Sequence, residues 1–210
     1  GRCYQDCDVR IVNPETLAEC AQGDVGEIWI AGRSVARGYR NRPELSEQTF
    51  RARIDGDASG RTYLRSGDLG AMIDGELYVT GRSKDLIIVN GRNHYPQDLE
   101  ATATSAHPAL AECKAAAFSI DGDDGEVVVV VIGLSGNAPA EGVPDALGHA
   151  IRAAIVRRHG VTVHDVLICN DRLPMTSSGK IRRAECRERY RTDAYEVLTS
   201  LVARSHPEPC

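Results

Sequence analysis

The residues of this chain that could do chemistry fall in three short stretches. In Tyr63-Leu64-Arg65-Ser66-Gly67-Asp68-Leu69-Gly70, an aspartate follows a glycine just before an apolar strand. A carboxylate so placed can accept two hydrogen bonds from a vicinal diol such as a ribose. On local chemistry alone, an ordinary turn aspartate is the better reading. In Gly81-Arg82-Ser83-Lys84-Asp85, the Arg82 fork can reach ribose or phosphate oxygens. The plainer alternative is a solvated charge run. In Leu173-Pro174-Met175-Thr176-Ser177-Ser178-Gly179-Lys180-Ile181-Arg182-Arg183, small hydroxylated residues and glycine predict a flexible loop with Lys180 at its tip. Such a lysine suits an α-phosphate or a carboxylate under attack, where negative charge develops. It is not a P-loop, because the G-x-x-x-x-G-K-[ST] spacing is absent. An unplaced S-G-K is more often an exposed lysine after a turn. The helix that follows carries Arg182, Arg183, Arg187, Arg189 and Arg191 among Glu185 and Glu188. That pattern reads first as a solvated, ion-paired face, and second as a surface for an acidic carrier protein.

The elements that must position these residues are legible in outline. Before residue 80 the signals are strands and turns: Val9–Val12, then Gly26–Ile30 closed by Gly32, then Leu69–Ile73 and Leu77–Thr80 about an Asp74-Gly75 hairpin turn. Pro43 opens a brief helix through Phe50, with Asn41 as its expected cap. Leu86–Val89 has strand length, and Asn90-Gly91 turns it back. Pro96 then starts a helix with Asp98 and Glu100 near its positive end. Strands follow at Lys114–Ile120, Val127–Leu134 and Val161–Cys169, with a loop at 136–142. A helix from Pro144 carries Leu147, Ile151 and Ile155 on one face and stops at Gly160. A charged helix over Arg183–Arg191 comes last. The charged segment at 83–85 separates two differently composed halves, as a hinge would.

Composition sets bounds. With 210 residues, 42% hydrophobic and 26% charged, the chain has material for one or two globular domains. A net charge of −5 argues against a general nucleic-acid binder. No apolar run reaches the length of a membrane span and no signal-peptide pattern is present, so the expected location is the cytoplasm. The 7 cysteines, among them Cys3, Cys7 and Cys210, are scattered and read as reduced thiols, with no metal site. The start at Gly1, without methionine and inside a β-rich stretch, reads as that of an excised piece.

Taken together, the stretches carry a resemblance. GRSKDLIIVNGRNHYPQDLE resembles the domain junction of the adenylate-forming enzymes: acyl-CoA synthetases, luciferase and the adenylation domains of peptide synthetases. Within them, GRN-x-YPQD-L-E is similar to the version in fatty acyl-AMP ligases, since CoA ligases usually read Pro-x-Glu where this chain has Pro96-Gln97-Asp98. Ser66-Gly67-Asp68 resembles the family's [ST]-G-D, with Ser for the commoner Thr. P-x-T-x-S-G-K-I-x-R over Pro174–Arg183 resembles its C-terminal motif. The resemblance implies that Asp68 binds the nucleotide ribose, that Arg82 faces the nucleotide, that Lys84 is the pivot, and that Lys180 is the adenylation lysine. It implies an α+β fold: a small β-subdomain over 1–82, a hinge at 83–85, a compact mobile α+β domain over 86–203, and a disordered tail at 204–210. It further implies a parent enzyme that activates a fatty acid with ATP and Mg²⁺, releases pyrophosphate, and loads the phosphopantetheine thiol of an acyl carrier protein, in polyketide or peptide biosynthesis. Two other readings stay open, an acyl-CoA synthetase and a non-catalytic carrier-docking module. The family's phosphate loop, adenine platform and acyl tunnel are expected upstream, so this chain alone should form no acyl-adenylate.

Overall fold

Short strands, the last two of them joined by a tight Asp-Gly turn, account for the first part of the chain. In the computed structural model, which describes residues 1–2, 6–123, 125–134 and 143–202, β1 (Cys7–Val12), β2 (Gly26–Gly32), β3 (Leu64–Ile73) and β4 (Glu76–Arg82) form one antiparallel sheet in that order. Asp74 and Gly75 turn β3 into β4 with φ of 50° and 77°, the left-handed pair that matches the twist of a two-residue hairpin. The inner face buries Val12, Trp29, Ala31, Ile54 and Tyr63. The short helix α1 (Pro43–Phe50) begins at its proline as expected, but Asn41 does not cap it. Asn41 sits one residue too early, at φ 57°, and the cap position falls to Arg42, which makes no side-chain cap bond. The Ser46 hydroxyl steadies this turn instead, donating to the Arg42 carbonyl at 2.6 Å and accepting from the Tyr39 amide at 2.8 Å. A second correction concerns β3. It begins at Leu64 rather than Leu69, so Asp68 lies inside a strand and not before it.

The chain divides into two compact units, Gly1–Lys84 and Asp85–Cys210. Within the second, a one-turn 3-10 segment that starts at Ser83 ends on Asp85. The hairpin β5 (Ile87–Val89) and β6 (Arg92–His94) turns at Asn90 and Gly91, with φ of 51° and 70°. Helix α2 (Pro96–Ser105) follows, then β7 (Lys114–Gly122), β8 (Gly125–Gly133), α3 (Val143–His159), β9 (Val163–Cys169), α4 (Arg183–Arg191) and β10 (Val197–Ser200). The sheet runs β10-β9-β8-β7, with β8 and β9 parallel and the other pairs antiparallel. Both faces are covered. Val128, Val130 and Ile132 meet Leu99 of α2 and Leu147, Ile151 and Ile155 of α3. Val129, Val131 and Phe118 meet Cys186 and Tyr190 of α4. Burial on both faces is why β8 reads as an unbroken apolar run and not as an alternation.

The last strand, β10, was not expected from the sequence. Asp165 of β9, fully buried, holds it in place. Its carboxylate accepts from the Ser200 hydroxyl at 2.8 Å, the Leu201 amide at 2.9 Å and the Tyr190 hydroxyl at 2.9 Å. One acid thereby joins β9, β10 and α4. The expected disordered tail at 204–210, the loop at 136–142, Cys3 and Cys210 lie outside the described residues.

Candidate functional site

In the first unit, Asp68 and Arg82 are cross-strand partners on β3 and β4. The Arg82 Nε donates to Asp68 Oδ1 at 2.9 Å, and both side chains reach solvent, 37% and 68% exposed for the acid and the base. Arg82 occupies one carboxylate oxygen of Asp68, so a diol arriving here would meet an acceptor already flanked by a cation. What aims Asp68 is a bulge. Glu27 stands opposite Leu69 while Trp29 stands opposite Arg65, so β3 carries extra residues between those pairs. Gly67 absorbs the kink at φ 72°. The Ser66 hydroxyl donates to the Ile28 carbonyl at 2.7 Å and accepts from the Asp68 amide at 3.0 Å.

Beneath the bulge lies a group that sequence reading missed. Glu27 is 4% exposed. Its Oε2 accepts from Arg65 Nε at 2.9 Å, Arg65 Nη2 at 2.7 Å and the Trp29 indole at 3.0 Å. Its Oε1 accepts from the Gly67 amide at 3.2 Å. The Arg65 guanidinium also stacks over the Trp29 ring at 5.5 Å. The signal was a charged residue inside the apolar run Gly26–Ile30, but its partner lies 38 positions away. Elsewhere on this unit, a recess of about 450 Å³ includes Asp8, Arg10, Arg61 and Tyr63 but neither Asp68 nor Arg82. Its charges answer each other: Arg61 reaches Asp8 at 2.6 Å and Arg10 reaches it at 2.9 Å. Lys84 closes the unit, in the 3-10 segment.

In the second unit, Lys180 is exposed on a tight hairpin rather than a loose loop. The Gly179 amide donates to the Thr176 carbonyl at 3.0 Å, and the Thr176 amide donates to the Lys180 carbonyl at 2.8 Å. With Gly179 at φ 81°, this is a three-residue hairpin loop with a glycine bulge. The Thr176 hydroxyl accepts from the Lys180 amide at 3.0 Å and lies 3.0 Å from the Ser178 hydroxyl. Met175 and Ile181 pair across the base, and the Arg182 amide donates to the Pro174 carbonyl at 2.9 Å.

Arg183 corrects the reading of the basic helix as a solvated face. Its side chain is only 21% exposed. Nε and Nη2 grip both oxygens of Glu100 at 2.6 and 2.7 Å, and Nη1 reaches Asp85 Oδ2 at 3.2 Å. Glu100 also accepts from the Ala117 amide at 3.0 Å. Cys186 and Tyr190 are buried on the same helix, and Arg187 lies over the Phe118 ring at 6.0 Å. Thiol chemistry is disfavoured here, because burial pushes Cys169 up to about 12 and raises Cys186 as well. Among the described residues no three His, Cys, Asp or Glu side chains gather as metal ligands. No helix among them is long and apolar enough to cross a membrane.

A family model described as Disco-interacting protein 2-like, AMP domain, matches residues 84–200. The chain is 42% identical to a 4-hydroxyphenylalkanoate adenylyltransferase of Mycobacterium marinum, covering 91% of this chain and 31% of that protein. It is 45% identical to the long-chain-fatty-acid–AMP ligase FadD26 of the same organism, over 92% of this chain and 34% of that one. It is 40% identical to the medium-chain-fatty-acid–[acyl-carrier-protein] ligase JamA of Moorena producens, over 94% and 34%. Among solved structures, one from a study of fatty acyl-adenylate ligases of E. coli and L. pneumophila superposes with a TM-score of 0.70 at 33% identity, covering 92% of this chain and 32% of that one. The chain thus spans about a third of the length of the curated relatives it matches.

Proposed function

From the premise that the chain belongs to the adenylate-forming enzymes, we propose that it is the C-terminal part of a fatty acyl-AMP ligase. The observation that carries this reading is the Lys180 hairpin. Backbone bonds and Thr176 hold the loop shut, so the ammonium is offered to solvent from a fixed base. In the proposed first step, a carboxylate oxygen of the fatty acid attacks the α-phosphorus of ATP and the bond to pyrophosphate breaks. Negative charge grows on the oxygens in flight, and Lys180 neutralises it. Asp68 holds the ribose hydroxyls, with Arg82 beside it, while magnesium travels with the ATP phosphates. In the second step the phosphopantetheine thiol of an acyl carrier protein gives up its proton and attacks the acyl carbon, and AMP leaves. Lys84, the last residue of the first unit, is the proposed pivot between the two steps. The names of FadD26 and JamA support a fatty acid as substrate and a carrier as acceptor. The hydroxyphenylalkanoate relative favours an aryl-tailed acid as the second reading, and a panel of acids in a pyrophosphate-release assay separates them.

The experiment is Lys180→Ala in the full-length protein, assayed one step at a time. Removing one preorganised contact of this kind slows adenylation by about 10²–10³. Supplied with preformed acyl-adenylate, the same variant should load the carrier at close to the unmodified rate. Equal loss in both steps by a folded variant would make Lys180 a structural residue and end this reading.

A further inference from the structure

The bonds inside the hairpin fix Lys180 relative to residues 174–182, but they do not fix where the hairpin as a whole points. That direction is decided at its base. On the incoming side, Leu173 and Pro174 are buried in the second unit. On the outgoing side the first helical residue of α4 is Arg183, three positions after Lys180. Its guanidinium is gripped through three donors by two carboxylates. Glu100 of α2 takes two of its donors and Asp85 takes a third. Glu100 is itself tied to β7 through the Ala117 amide. These partners lie 83 and 98 positions from Arg183 in sequence, and Asp85 is the residue that follows Lys84.

One carboxylate would balance the charge of the guanidinium but engage only two of its five N–H donors. The second carboxylate has a different place in the chain: it comes from the first residue of the unit, beside the proposed pivot. A planar fork with fixed donor directions can hold helix α2 and the chain entry point at once, whereas a lysine ammonium at the same place offers a single compact charge. We infer that Arg183 is the positioning residue of the Lys180 hairpin, transmitting the placement of Asp85 and Glu100 to the direction in which Lys180 is presented. The inference rests on the reading of Lys180 given above. It adds that adenylation depends on a side chain that never touches ATP or the acid.

The test uses three variants of the full-length protein: Lys180→Ala, Arg183→Lys and Asp85→Asn. Adenylation and carrier loading from preformed acyl-adenylate are measured separately, with KM for ATP and thermal unfolding alongside. A displacement of about 1 Å in a catalytic group lowers rate by about 10²-fold. Arg183→Lys, which keeps the charge but not the fork, should therefore lower kcat for adenylation by about 10- to 100-fold. KM for ATP and the carrier-loading rate should stay within about twofold, because neither draws on the direction of Lys180. Asp85→Asn, which removes only the single longer contact, should show the same split at about 3- to 10-fold. If Arg183→Lys does not fold, Asp85→Asn reads the same split on its own, as its side chain is 34% exposed. Parallel losses in both half-reactions would mean a merely structural ion cluster and overturn the inference. So would adenylation left intact by Arg183→Lys while Lys180→Ala abolishes it. Adenylation left intact by Lys180→Ala would instead overturn the functional reading on which the inference stands.

Discussion

Replacing Glu27 with alanine should unfasten the bulge that carries Asp68, and the contacts allow the loss to be sized. Three groups lose their acceptor. The Trp29 indole sits on a fully buried side chain, and an orphaned buried donor costs about 1–3 kcal/mol. The Arg65 fork loses two bonds to a charged partner, a contribution of about 1.5–3 kcal/mol that its 35% exposed side chain partly recovers from water. The Gly67 amide, at 3.2 Å, adds about 0.5–1 kcal/mol. The expected sum is about 4 kcal/mol, in the range for breaking a buried pair from one side. Glu27→Gln keeps one acceptor but turns an amide toward Arg65, and should lose about 2 kcal/mol. Urea unfolding can be followed by fluorescence, because Trp29 is the chain's 1 tryptophan and lies at the perturbed spot. In the full-length protein, Glu27→Gln should also weaken ATP binding, through Gly67 and its neighbour Asp68. A loss under about 1 kcal/mol for Glu27→Ala would refute the reasoning, since it would mean that the carboxylate adds nothing beyond its own desolvation.

Two further outcomes are expected. Lys84→Pro fixes φ at about −65° and should depress one half-reaction of the full-length protein far more than the other, while equal loss or none would move the pivot elsewhere. The second concerns acid. Burial, with His159 and Arg92 behind it, lowers the pKa of His94; burial, then Arg158, lowers that of His159, against Asp98. The folded values lie below the unfolded 6.5, so the unfolded chain binds more protons and stability falls as pH drops through that value. His159→Gln, which can still meet Thr102, should flatten the fall in Tm between about pH 7.5 and 5.5, and an unchanged or steeper slope would count against it.

The elements legible in advance were those whose cause is local. Asp74-Gly75 and Asn90-Gly91 announce their turns because those residue types tolerate the positive φ they adopt. Helix α3 shows its apolar face at Leu147, Ile151 and Ile155 and its end at Gly160, all within one segment. The misses share the opposite cause. Strand β10 is a short piece whose place is decided by Asp165, some thirty-five positions earlier. The front half of β3 was hidden because Gly67 looks like a break and acts as a bulge. Asp68, Arg82, Lys84 and Lys180 were singled out by the resemblance of their stretches to the family's motifs, not by their local chemistry. Glu27 and Glu100, which hold Arg65 with the Gly67 bulge and Arg183 respectively, were not, because an acid drawn out of water cannot be recognised until its arginine is found across the fold.

The Lys180 hairpin bears on how much sequence change this segment can absorb. The pattern P-x-T-x-S-G-K-I-x-R leaves three places open, and in this chain they hold Met175, Ser177 and Arg182. The named letters are the ones the turn engages. Pro174 is buried and its carbonyl takes the Arg182 amide, Thr176 and Ser178 join hydroxyls, Gly179 holds the left-handed φ, Ile181 packs inward and Arg183 anchors the base. The open places contribute backbone alone to the hairpin: Met175 is 38% exposed, Ser177 is exposed, and Arg182 turns its side chain to Glu185 in the next helix. The blanks in the pattern are therefore positions where exchange of side chains is expected to leave the presentation of Lys180 unchanged, as long as the backbone bonds stay, which excludes proline at position 182.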